Sequence, residues 1–244
     1  MSGFAASIEP GLGSSVATHA GAVRSRNEDS VVHRPEIGLW AVADGAGGHG
    51  AGDVASQAVA AALGTIPTGL TAGELLAQVR LRILETHGQL QQQAQVAGGN
   101  RIIATTVVAL MARHGHFACL WAGDSRAYLL RGGVLQRVTK DHSLVQEMVD
   151  QGTLTEDEAE SHPQANVILR AVGASGELLL DKVSGRLAAG DRLMLCSDGL
   201  FKALPESEIA AMLGAGIDAA ALVEAAVARG ARDNVSAVAL RQDG

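Results

Sequence analysis

The sequence predicts an α+β domain in which two stacked antiparallel sheets are covered by helices. Three observations predict it. Apolar runs rich in Val, Leu and Ile are joined by tight turns, Gly132-Gly133 between YLLR and VLQRV and RHGH at 113–116, and consecutive hairpins make antiparallel sheet. The helical patterns gather in two blocks instead of alternating with strands, which argues against a parallel βαβ sheet. No repeat, linker or shift in composition interrupts the 244 residues, so one domain over 1–244 is expected, with an ordered core of about 16–242.

The elements follow in order. Strands are expected at 17–20, 30–33 and 39–43, each an apolar stretch bounded by Gly, Asp or His. A helix at 53–63 precedes a longer one over 72–96, where Leu76, Val79, Ile83 and Leu90 recur at helical spacing. Thr71 and Glu74 of TAGE supply its capping box. Strands at 105–113, 116–122, 127–131 and 134–138 then form the run of hairpins. A helix at 144–151 leads into a polar surface excursion at 152–166, containing TEDEAESHPQ. Strands at 178–187 and 192–197 follow. Helices at 205–213 and 219–228 come next, with Pro205 in the first turn. The last strand is 235–241.

Composition removes several classes of function. The net charge is −7 and the acidic surplus is spread out; nucleic acid as the main partner would need clustered Lys and Arg. No stretch approaches the roughly 18 consecutive apolar residues of a membrane span, and the N-terminus has no basic region of a signal peptide. Cys119 and Cys196 lie in separate apolar runs, without C-x-x-C spacing. Two reduced core thiols in a cytoplasmic protein are expected.

The stretch LWAVADGAGGHGAGDVAS at 39–56 admits two readings. Gly45, Gly47 and Gly50 stand at G-x-G-x-x-G spacing, a nucleotide fingerprint. That reading fails in context: no acidic residue follows between Val54 and Gly73 to meet a ribose, and no parallel strand follows the helix. The alternative centres on Asp44. Asp44, Asp124 and Asp198 each close an apolar strand, and Asp233 opens one. A single such Asp is ordinarily a turn former. Four at the ends of strands sharing one sandwich are costly unless paired or bound to metal, and carboxylates without thiols suit hard cations, Mg²⁺ or Mn²⁺.

The segments VRSRNED at 23–29, VADGAGGHGAGDVAS, ATTVVAL, AGDSRAYLLRGG, TKDHSLV, ILRAVG, LCSDGL and ARDNVSAVAL occur in one order. This series resembles that of the PP2C (PPM) metal-dependent Ser/Thr protein phosphatases in their compact, stand-alone bacterial form. It runs from about Thr18 to Arg241; each motif is short, but the ordered set is specific. The resemblance implies a central β-sandwich of two antiparallel sheets flanked by helices on both sides, with two Mn²⁺ or Mg²⁺ ions at one end. It implies that Asp44 bridges the ions, that Gly45 offers its backbone carbonyl to one, and that Asp198 and Asp233 bind the other. Asp29 would act through metal-bound water. Asp124, with Asp198 shared, matches a ligand of a third, weaker ion, and Arg24 matches the arginine that grips the substrate phosphate. Two divalent ions at roughly 3.5–4 Å invert the field of the carboxylates and lower the pKa of water between them. A guanidinium fork reads phosphate geometry.

The implied reaction is direct hydrolysis of phosphoserine and phosphothreonine monoesters, without a phosphoenzyme. The implied partners are phosphorylated proteins and a cognate bacterial Ser/Thr kinase, and the chain is expected to be a monomer. One position departs from the eukaryotic branch, which often carries a His assigned as general acid after the DG; here it is Ala46, and a metal-bound water is the first candidate donor. His49 matches the bacterial GGH and is read as orienting the turn. His114 and His116 are read as a hairpin, His142 as organising a loop, and Ser125, Ser143 and Ser197 as turn residues. Arg26, Lys140 and Arg170 either bind phosphopeptide or serve the surface. Three other functions are weighed: a catalytically weak regulatory domain of the same fold, a phosphodiesterase or nuclease, and a nucleotide-binding oxidoreductase. The complete acid set, the absent basic patch and the failed fingerprint count against them in turn.

Overall fold

The computed structural model describes residues 5–6, 11–47, 51–98 and 102–243. In chain order the strands begin with β1 (Ala5–Ala6), β2 (Leu12–His19), β3 (Asp29–Arg34) and β4 (Leu39–Ala46). Helices α1 (Ala51–Gly64) and α2 (Ala72–Val96) follow. Then come β5 (Ala104–Thr105), β6 (Val107–Arg113), β7 (His116–Ala122), β8 (Arg126–Arg131) and β9 (Val134–Arg137). After α3 (Leu144–Asp150) and α4 (Glu156–Ser161) stand β10 (Asp181–Arg186) and β11 (Arg192–Cys196). Helices α5 (Asp198–Phe201), α6 (Glu206–Gly214) and α7 (Ala219–Ala228) precede the last strand, β12 (Val235–Gln242).

One sheet has the order β1-β2-β12-β11-β8-β9; the other runs β10-β7-β6-β4-β3, with β5 paired to the end of β4. Every named pair is antiparallel. Side-chain alternation explains why the strands are apolar throughout. In β4, Leu39, Ala41 and Ala43 pack with Val59 and Leu63 of α1 and Val79 and Ile83 of α2. Trp40 and Val42 point the other way, into a layer shared with Leu193, Leu195, Val238 and Leu240 of the opposite sheet. On the far side, Met194 and Ala237 pack against Ile209 of α6 and Leu222 of α7. Both faces of both sheets are thus buried, in four layers, helix–sheet–sheet–helix, as expected from the motifs.

The turn chemistry holds as well. Gly132 and Gly133 have φ of 58° and 82° between β8 and β9, and His114 and Gly115 have 51° and 66° between β6 and β7, the left-handed pairs that tight hairpins require. The capping box of Thr71 and Glu74 is formed. Cys119 and Cys196 are free and buried, and burial pushes both thiols up. Among the described residues no helix is long and apolar enough to cross a membrane.

Some element expectations are corrected. The strand expected at 105–113 is two, broken at Thr106, whose N–H turns to the Asp44 carbonyl at 2.9 Å. The first long strand starts at Leu12, before the expected 17–20. The strand of 178–187 shortens to β10. The polar excursion contains α4, closed by a capping box of Thr155 and Glu158. Pro205 is the N-cap of α6, with ψ of 149°, rather than its first helical residue. The buried stripe of α2 runs through Leu75, Val79 and Ile83, while Leu76 is only partly buried at its margin.

Candidate active site

The acids converge because the two sheets bring their strand ends to one side. Asp29 opens β3 directly opposite Asp44 near the end of β4. Asp198 follows β11, and Asp233 precedes β12, the antiparallel neighbour of β11. Asp124 follows β7 after Gly123. Asp44, Asp124, Asp198 and Asp233, with Arg24, Arg26, Glu28 and Gly45, line a cavity of about 500 Å³. Asp29 lies behind them, buried.

Backbone geometry fixes the cradle. The break at Thr106 locks Asp44: its N–H donates to Thr106 Oγ1 at 3.1 Å, and its carbonyl accepts from Thr106 N–H at 2.9 Å and Thr105 Oγ1 at 2.8 Å. Gly45 has to be glycine, since a Cβ there would stand 2.3 Å from the Gly52 carbonyl in the first turn of α1. Gly123, at φ of 111°, lets the chain pass Thr106; a Cβ would lie 2.6 Å from that residue's side chain. Thr106 Oγ1 in turn bonds Ser125 Oγ at 2.7 Å, beside Asp124.

Asp29 joins the two sheets. Its Oδ2 accepts from Ser197 Oγ at 2.8 Å and Ser236 Oγ at 2.7 Å, both from the opposite sheet's end. Its Oδ1 is buried with no hydrogen-bond partner among the described residues. Burial pushes the Asp29 carboxyl up to about 7 against the pull of the two hydroxyls, and the charges of Asp198 and Asp233 add to the rise. Asp44 is held well above the carboxylate range by burial and by Asp29, Asp198, Asp124 and Asp233 in that order. Asp124 reaches about 7 through burial and then Asp198 and Asp141, with Lys202 opposing. These are like charges gathered without enough cation.

Two basic side chains answer part of that deficit. Arg24 Nη2 donates to Asp233 Oδ2 at 2.8 Å. Lys202 Nζ donates to Asp198 Oδ2 at 2.5 Å. Among the described residues no three His, Cys, Asp or Glu side chains already surround one point as ligands of a single ion. The site nevertheless fits divalent cations: its donors are all oxygen, Asp29 keeps a buried oxygen with no partner among the described residues, and Asp29, Asp44 and Asp124 are raised by burial and by the charges of neighbouring acids.

The structure places Arg24, Asp44, Gly45, Asp124, Asp198 and Asp233 on one cavity, with Asp29 buried behind its wall. Ala46 lines the cavity and carries no proton to donate. His49 and Gly50 lie outside the described residues. His142 does organise a loop: its Nδ1 accepts from Gly123 N–H at 3.2 Å, its ring stacks on Trp121, and its Nε2 meets Asp181 Oδ2 at 3.2 Å. Arg170 pairs with Asp181 and Lys140 with Asp150, as surface and loop contacts. The Arg26 carbonyl accepts from Asn234 Nδ2 at 2.8 Å while the residue lines the cavity.

Two readings are extended and several residues were missed. Ser143 caps α3, and Ser125 and Ser197 also stand in the connections β7–β8 and β11–α5, but their hydroxyls are buried partners of Thr106 and Asp29 as well. Asn234 clamps the Arg24 loop: its Oδ1 accepts from Glu28 N–H at 2.8 Å, and its Nδ2 donates to the Ala20 and Arg26 carbonyls at 3.0 and 2.8 Å. Ser236 and Lys202 were also unassigned. Lys202 was legible as the residue four places after Asp198, one helical turn on.

The protein phosphatase 2C family model matches residues 18–236. The serine/threonine protein phosphatase PstP of Mycobacterium tuberculosis is 39% identical over 222 residues, 89% of this chain. The chain spans 42% of that relative's length. The structure of PppA, a key regulatory component of T6SS in Pseudomonas aeruginosa, is similar at a TM-score of 0.87 and 39% identity, covering 94% of this chain and 97% of PppA. The catalytic domain of PstP in complex with two manganese ions is similar at a TM-score of 0.83 and 33% identity, covering 96% and 99%.

Proposed function

The chain belongs to the protein phosphatase 2C family, and from that premise we propose that it is a protein serine/threonine phosphatase. It hydrolyses phosphoserine and phosphothreonine monoesters on phosphorylated proteins, acts in the cytoplasm as a monomer, and opposes a Ser/Thr kinase. The observation that carries this reading is the meeting of four strand-end carboxylates at one cavity, with Asp29 behind them and a guanidinium beside them.

Asp44, the Gly45 carbonyl, Asp198 and Asp233 are the residues that would hold two divalent cations, Mn²⁺ or Mg²⁺, with Asp124 and Asp198 toward a weaker third. Bound there, such ions neutralise the phosphate dianion and lower the pKa of the attacking water. The chain's own residues do the rest. Asp29, fixed by Ser197 and Ser236, keeps one oxygen free to orient water on the cavity's inner side. Arg24 stands on a loop tied down by Asn234. It trades its bond with Asp233 for two phosphate oxygens when substrate arrives. Cys119 and Cys196 are buried in the core, so neither serves as nucleophile and water attacks directly. With Ala46 at the turn, the leaving-group proton comes from water.

The test is hydrolysis of p-nitrophenyl phosphate and of a phosphothreonine peptide by chelator-stripped protein, with Mn²⁺, Mg²⁺ or Ca²⁺ restored, beside Asp198→Asn. Activity restored by Mn²⁺ in the wild type and not in the variant is expected. A folded protein inactive with every metal would favour the regulatory-domain reading instead.

A further inference from the structure

Lys202 is the C-cap of α5, and its N–H closes the turn on the Asp198 carbonyl at 3.0 Å. That turn stacks the ammonium over the Asp198 carboxylate, at 2.5 Å from Oδ2. The same Nζ donates to Asn166 Oδ1 at 2.6 Å, from the end of the polar 152–166 segment. The ammonium is therefore anchored from two sides. It also shares with Asp124 the wall of a second cavity, of about 680 Å³, that adjoins the first through Asp124.

We infer that Lys202 is an internal counter-ion on the Asp124–Asp198 face of the site, which competes with a divalent cation there and restricts this chain to two tightly held ions. The inference rests on the proposed two-ion reading and on Asp124 and Asp198 as the weaker third pair. An ion approaching Asp198 Oδ2 must displace an ammonium already hydrogen-bonded there, on the side where Lys202 and Asp124 share a cavity wall; the site's other bonded cation, Arg24, stands on Asp233. Without the ammonium, Asp124 and Asp198 remain two carboxylates on the wall of one cavity, and a cation relieves their repulsion.

Mn²⁺ binding by isothermal titration calorimetry to chelator-stripped protein tests this without reference to activity. Wild type is expected to bind two ions tightly and a third only weakly. Lys202→Gln, checked for folding by circular dichroism, is expected to gain a third ion or to bind its weakest ion about tenfold more tightly. Lys202→Arg keeps the charge and is expected to match wild type, and Asp124→Asn added to Lys202→Gln is expected to abolish the gain. Two-ion binding that Lys202→Gln leaves unchanged would overturn the inference alone, as would Lys202→Arg behaving like Lys202→Gln. No Mn²⁺ binding by any of the proteins would overturn the two-ion reading and this inference with it.

Discussion

Asp124 and Arg126 stand two residues apart, yet they belong to charged regions of opposite design. Arg126 is complete within the protein. Its Nε and Nη2 donate to Asp141 at 3.1 and 2.7 Å, its Nη1 donates to the Tyr128 hydroxyl at 3.1 Å, and its guanidinium lies 3.7 Å over the Phe201 ring. Asp124 shares a cavity with Asp198 and Asp44, and Lys202 and Arg24 pair with part of the surplus. The first region satisfies its charges and holds β8 to the Asp141 loop. The second leaves its charges unsatisfied and stays open to solvent. Buried charge is structural where its partners come from the chain, and functional where they have to come from outside.

Substitutions should separate the two regions. Asp44→Asn should lower metal-dependent hydrolysis by about 10³-fold or more, since several kcal/mol of charge stabilisation goes with it. The metal-free variant should melt no lower than wild type, because a like charge is removed; a lower melting point would erase the contrast. Arg126→Met should do the reverse. It takes the close partner from largely buried Asp141 and leaves it the 3.9 Å contact with Arg137, which costs about 3–5 kcal/mol in urea unfolding, while the calorimetric affinity of the remaining folded protein for Mn²⁺ changes little.

Ser236→Ala probes the border. It takes one donor from Asp29 Oδ2 and should weaken Mn²⁺ binding by about 10- to 100-fold, the scale seen for groups that orient ligands. The pH response sharpens the comparison further. Asp29 and Asp124 carry protons up to about 7 in the folded, metal-free protein, against about 4 when unfolded. The folded state therefore binds more protons in that window, and stability of the chelated protein should fall as pH rises from about 4 to about 7. A flat or rising profile in chelator would count against the crowding of these acids. The smallest effect concerns the second cavity, lined by Glu156, Asp157, Glu160 and Glu206. Phosphopeptides with basic neighbours should be hydrolysed about threefold faster than acidic ones at low salt, a preference that salt screens; equal rates would remove that wall from substrate recognition.

Much of this was legible in the sequence for one reason. An acid that ends a doubly buried apolar strand announces itself, as Asp44, Asp124 and Asp198 do. Hairpin glycines and the Thr71 capping box are equally local signals. The missed features depend on distant partners. Thr105, Thr106, Val107 and Val108 read as one β-branched run, and only the turn of Thr106 toward Asp44 splits it. Ser236 and Asn234 look like ordinary residues of a strand and its approach, and their roles appear when residues more than 200 positions away fold against them. For Lys202 the one sequence signal is its place four residues after Asp198, and it depends on a helix of four residues, α5, which carries too little periodicity to be read.

The hydroxyl grip on Asp29 has a consequence for how the molecule unfolds. An acid of one sheet is held by Ser197 and Ser236 of the other, so the carboxylate cluster lies on the seam where the two sheets would part. Ions held across that seam, as proposed, would act on the native state alone. Their concentration would then enter the unfolding equilibrium, and at a hundred times Kd it would add about 2.7 kcal/mol. A melting curve recorded against rising Mn²⁺ then becomes a titration of the site, readable with no substrate present.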